Sequence, residues 1–234
     1  MRRLSFLIAA ALMLAGCNMV VSETPILTTA DAEGAPQLRP GVWVRRVEGC
    51  EVDLRKKVKD WPECADVSII TRNTIGDPGK DEAMPYVLAG GTPQLMQLEM
   101  KAEDAPRLFF FVGVEPVRSD DRGRVIEART WAVQCGPPPR PAPEEAESAE
   151  VAAPAEDSAS EAPLTEAEQE AAMAEAVTKM ASSMVTREPL PGLELKDGMC
   201  LVRTIEPLRN AAEKSKAWDE QANQPIVWVR DRTD

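Results

Sequence analysis

The chain has 234 residues, with 27 Lys+Arg against 39 Asp+Glu for a net charge of −12, and it contains no histidine. That length buries a sizeable core, and the acidity argues against a nucleic-acid binder, which needs a basic footprint to displace counterions. Without histidine there can be no Ser-His-Asp triad, no Cys-His dyad, no His-ligated zinc and no imidazole proton shuttle.

In chain order, the first element is an export signal. Met1-Arg2-Arg3 is a cationic start, and the apolar run from Leu4 to Leu14 is too short to span about 30 Å of hydrocarbon. It ends in Leu14-Ala15-Gly16-Cys17. These residues resemble the lipobox of bacterial lipoproteins, in which a signal peptide, here residues 1–16, is cut away before the cysteine. The resemblance implies a diacylglyceryl thioether on Cys17 and an acyl group on its new α-amine. At roughly 0.8 kcal/mol per buried CH₂, several acyl chains make such a membrane anchor effectively permanent. Asn18 stands where Asp would resemble an inner-membrane retention signal. The expected location is therefore the outer membrane, on its periplasmic face.

Export also governs the remaining cysteines. Cys50, Cys64, Cys135 and Cys200 are an even set in an oxidising compartment, with no C-x-x-C spacing, so two disulfides are favoured over a metal site. Three connectivities are possible. The preferred one pairs Cys50 with Cys64 across Trp61-Pro62 and Cys135 with Cys200 across the insert described below.

Residues 17–38 read as the lipidated cysteine and a flexible tether, because Ser, Thr, Ala, Pro and Gly recur there without period. Residues 39–135 and 190–234 read as one β-rich domain. Its expected strands are Gly41–Val47, Ala65–Thr71, Tyr86–Ala89, Gln94–Met100, Arg107–Val117, Arg124–Gln134, Met199–Ile205 and Pro225–Arg230. Gly90-Gly91-Thr92-Pro93 and Ser119–Gly123 carry turn chemistry between them. In Gln94–Met100 the alternation places Met96, Leu98 and Met100 on one face and Gln97 and Glu99 on a solvated one. Phe109–Phe111 reads as a central strand buried on both faces. Leu208, Ala211, Ala212, Ser215 and Trp218 share helical spacing, so Glu206–Ala222 is predicted to be a helix packed on the sheet. The fold class is mainly β, an antiparallel sheet or barrel of about eight strands with one packed helix.

Residues 136–189 form an insert with twelve acidic and three basic side chains, and so carry −9 of the total charge. Its Pro- and Ala-rich first half cannot bury enough apolar surface to order itself. Its second half predicts a helix at about 165–186. Thr165 and Glu168 match a capping box, and Met173, Val177, Met180 and Met184 form one narrow stripe.

Chemistry is sparse. The chain has no P-loop, no G-x-G-x-x-G and no G-x-S-x-G, and no cofactor or metal is expected. The favoured reading is a non-catalytic, lipid-anchored envelope domain that binds or scaffolds a protein partner. Glu99 and Glu127 are the acid/base groups that a peptidoglycan hydrolase would use, and this is one alternative. Another rests on Gly41-Val42-Trp43, which resembles the G-x-W of lipocalins and related calycin-type barrels. That resemblance implies a barrel binding an apolar ligand. It also implies a Trp43 that closes one barrel end near an Arg of the last strand, a role Arg230 would fill. The stretch continuing through Cys50, Val52 and Leu54 also looks like the start of small periplasmic protease-inhibitor barrels, which implies inhibition of a periplasmic enzyme.

Overall fold

The computed structural model describes residues 18–45, 47–80, 82–101, 106–138 and 188–231. The signal peptide, Cys17 and the helix expected at about 165–186 lie outside the described residues. Eleven strands and one α-helix are found among them. They are β1 (Val20–Ser22), β2 (Gly41–Arg45), β3 (Asp66–Ile70), β4 (Thr74–Gly76), β5 (Ala83–Ala89), β6 (Gln94–Met100), β7 (Leu108–Ser119), β8 (Val125–Ala132), β9 (Glu194–Lys196), β10 (Met199–Leu201), α1 (Ile205–Ser215) and β11 (Ile226–Arg230).

Eight of these strands, β2 to β8 and β11, form a closed barrel in which every neighbouring pair is antiparallel. Consecutive strands are neighbours, and β11 returns to pair with β2, so no barrel edge is left unpaired. The mainly β class with one packed helix is thus the observed one. The β7–β8 hairpin turns at Asp120, whose carboxylate accepts the N–H groups of Arg122 and Arg124. A side chain folded back on its own turn is the usual reason Asp is favoured there.

Alternation along the barrel strands produces three apolar clusters. Trp43, Ile70, Tyr86, Leu88, Met96, Val114, Val125 and Ala128 fill the interior together with Leu38. On one outer face, Val42 and Val44 pack under Trp61 in the segment that the Cys50–Cys64 disulfide closes. On another, Ala89, Leu95, Phe109 and Phe111 pack under Leu208, Ala211 and Ala212 of α1 and under Val20 and Leu27. Phe109 and Phe111 therefore face a cover while the strand's other side faces the barrel, as a doubly buried strand requires. The second disulfide, Cys135–Cys200, lies within this outer cluster.

The helix is shorter than its spacing predicts. α1 ends at Ser215, whose buried hydroxyl donates to the Ala211 carbonyl and accepts the N–H of Gln134. The chain then turns so that Asp219 can accept the N–H of Ala132. A separate 3-10 turn, Glu220–Asn223, leads into β11. Trp131 fixes the helix to the barrel. Its indole N–H donates to the Ala212 carbonyl at 2.7 Å, and its ring covers Gly113, where a Cβ would lie 2.2 Å from the indole.

Two expectations are corrected. Residues 18–38 are built into the fold and are not a tether. Val20–Ser22 pairs with β7 and β10, and Leu27 and Leu38 are 1% and 2% exposed. Gln97 does not face water either. It is buried, its carbonyl accepts the N–H groups of Ile26 and Leu27, and its amide donates to the Leu27 carbonyl. The outward face of β6 is thus a dock for the N-terminal segment.

Candidate functional site

The barrel is plugged at one end and hollow toward the other. At the plugged end Trp43 of β2 and Trp228 of β11 are cross-strand partners. Their indole N–H groups donate to the carbonyls of Arg39 and Pro40, and the Arg39 guanidinium lies 3.5 Å above the Trp228 ring. Gly41 is required here. With φ +142°, it has no room for a side chain, since a Cβ would sit 2.5 Å from Trp228 Nε1. Tyr86 completes this end with a hydrogen bond to the Thr71 carbonyl, and burial pushes its phenol up to about 12.

Beyond the plug lies a cavity of about 160 Å³. Its walls are apolar, with Trp43, Ile70, Ile75, Met96, Leu98 and Val112. Its rim is polar, because the alternation that points Trp43 inward also points Arg45 inward, one turn of the pleat nearer the mouth. Arg45 donates from Nε to Asp66 at 2.8 Å, and from its terminal nitrogens to the Gln224 carbonyl at 3.2 Å and Thr130 Oγ1 at 3.4 Å. The Arg45 side chain is 16% exposed and that of Asp66 55%, so the pair lies at the opening. An apolar chamber with a few convergent polar groups is the general form of a small-molecule site. A cavity of about 150 Å³ is enough for one benzene ring.

The other singled-out residues lie elsewhere. Arg230 does not approach Trp43. It sits on the outer face 5.1 Å from the Trp61 ring, donating to the carbonyls of Leu54 and Lys56. Arg39, just before β2, is the arginine of the plug. Glu99 pairs with Lys101 and Arg107, and Glu127 with Arg118. Register places Glu99 beside Phe109 and Glu127 beside Arg118, at opposite ends of β7. At about 3.3 Å per residue that is roughly 30 Å of strand, against about 5–9.5 Å for glycosidase carboxylate pairs. They cannot act as one acid/base pair. Cys50–Cys64 and Cys135–Cys200 are the observed disulfides, in the preferred connectivity. Among the described residues no group of three or more acidic or cysteine side chains converges as a metal site.

The cavity's polar rim was not singled out from sequence. Its signal was the same period-2 pattern: in Gly41-Val42-Trp43-Val44-Arg45, Arg45 shares a face with the tryptophan. No family model, curated protein or solved structure matches this chain.

Proposed function

We propose that this protein is an outer-membrane lipoprotein whose barrel holds a small, mostly apolar molecule and performs no catalysis. The observation that carries the reading is the apolar cavity opening beneath Arg45, Asp66 and Thr130. The closed antiparallel barrel with Trp43 in its plug supports the calycin-like resemblance, and the two disulfides suit an oxidising envelope. Arg45 is already balanced by Asp66, so the rim favours a ligand with a neutral polar end, such as a hydroxyl, over a second anion. The size of the chamber limits the buried part to about one six-membered ring.

Titration with p-cresol tests this. Trp43 lines the cavity, so binding should give a saturable change in tryptophan fluorescence. Val112→Phe, which grows into the space, should abolish it while the protein stays folded. No saturable change in the wild type, or an equal one in Val112→Phe, would overturn the reading. The anchor has its own test: palmitate label should be incorporated by the full chain in a bacterial host and lost in Cys17→Ser.

A scaffold for an envelope protein is the second reading, since the same chamber accepts one aromatic side chain of a partner. A partner captured by wild type and lost with Val112→Phe would favour it.

A further inference from the structure

We propose that the lipid anchor holds the barrel directly against the bilayer, without a spacer. The flank facing the lipid is the one where the acidic insert leaves and returns. The inference rests on the reading of Cys17 as the lipidated residue.

The residue next to Cys17 is already clamped. The Asn18 carbonyl accepts the Cys135 N–H at 2.7 Å, and its side-chain amide donates to the Gly136 carbonyl at 2.8 Å. Val20 follows at once, fully buried, with its N–H on the Val133 carbonyl at 2.8 Å. β1 is then held between β7 and β10. One residue of chain spans at most about 3.6 Å, so the acylated cysteine cannot move far from Cys135. Had residues 18–38 been a flexible spacer, its root-mean-square reach would be about 25 Å.

Cys135 is also the root of the insert. Gly136 leaves beside Asn18, and the returning chain is fixed where the Leu190 N–H donates to the Cys135 carbonyl at 2.7 Å. The disulfide to Cys200 ties this point to β10. Because β1 and β10 run parallel with Val20 opposite Cys200, the β9–β10 turn at Asp197-Gly198 lies on the same side. Exposed Lys196 and half-buried Met199 flank that turn. The anchor, both ends of the insert and the hairpin tip therefore converge on one patch. The segment carrying −9 begins and ends at the headgroups.

The test couples residues 17–234 through the Cys17 thiol to a maleimide-headgroup lipid in a supported phosphatidylcholine bilayer. The other four cysteines are held in disulfides. Neutron reflectometry should show protein density starting at the headgroups. A variant with twenty glycine and serine residues between Cys17 and Asn18 should show a hydrated gap on the order of 25 Å. A gap of the same depth in both would overturn the direct seating. A glutamate-specific protease should cut the insert severalfold more slowly in the directly coupled protein than in the spacer variant, and equal rates would overturn the placement of the insert. Chemical coupling needs no acylation. Mass analysis of Cys17 in the full chain therefore judges the lipoprotein reading separately from the seating.

Discussion

The two ends of the barrel are built from the same strands, yet they spend their side chains differently. At one end two tryptophans, a tyrosine and Leu38 fill the space, and each indole and phenol donor finds a backbone carbonyl. At the other, a single inward arginine spans the opening and leaves room behind it. β2 contributes to both, with Trp43 at the plug and Arg45 at the mouth two residues on. The contrast teaches that barrel closure and barrel emptiness are separate properties. Aromatic volume at one end secures the fold, and the other end can then be left hollow.

The sharpest way to break this division is to empty the plug. Trp43→Ala should cost about 3–5 kcal/mol, read by denaturant unfolding, because a nearly fully buried indole and its hydrogen bond are both lost. Arg39→Ala comes next, at about 1–2 kcal/mol, from loss of the stack on Trp228 and the ion pairs to Asp120 and Asp231. Arg45→Met at the mouth should change stability by less than about 1 kcal/mol, since its pair with Asp66 is partly solvated. It should nevertheless weaken p-cresol binding. A cost at Arg45 equal to that at Trp43 would show that the mouth is structural and erase the contrast.

The plug should also carry a pH dependence of its own. Tyr86 is the only tyrosine, so its ionisation can be followed alone by ultraviolet absorbance. Its folded pKa of about 12 lies above the ordinary value of 10.0, because burial disfavours the phenolate. The folded state therefore holds this proton more tightly than the unfolded one. That contribution to stability is intact below pH 10 and is lost as pH rises through 12. A midpoint near 10 in the folded protein would mean that the plug is wetter than its packing implies.

Most of the barrel could be read from sequence because its strands alternate and its hairpins carry turn residues. The β7–β8 hairpin and the aligned Met96 and Leu98 are such cases. Alternation reports which face a side chain takes, but not what covers that face. Alternation alone thus places Gln97 toward water, whereas its outward face meets Ile26 and Leu27. Val20 and Val21 were hidden by the Ser, Thr and Pro around them, although two adjacent β-branched residues were a signal for a strand. β4 and β9 have three residues each, too short for a periodic pattern to register. In the site, Trp43 stood out through its neighbour Gly41, whereas Arg45 looked like any charged residue until the closed barrel turned it inward.

The Leu190 to Cys135 hydrogen bond has a further consequence, for engineering and for evolution. It closes the framework at the point where the insert begins, so the chain leaves and rejoins the barrel at one place. A variant with a short bridge in place of residues 139–187 is therefore expected to keep both disulfides, as nonreducing mass mapping would check. If that variant folds, a lineage carrying this barrel is equally free to lengthen, shorten or recharge the segment.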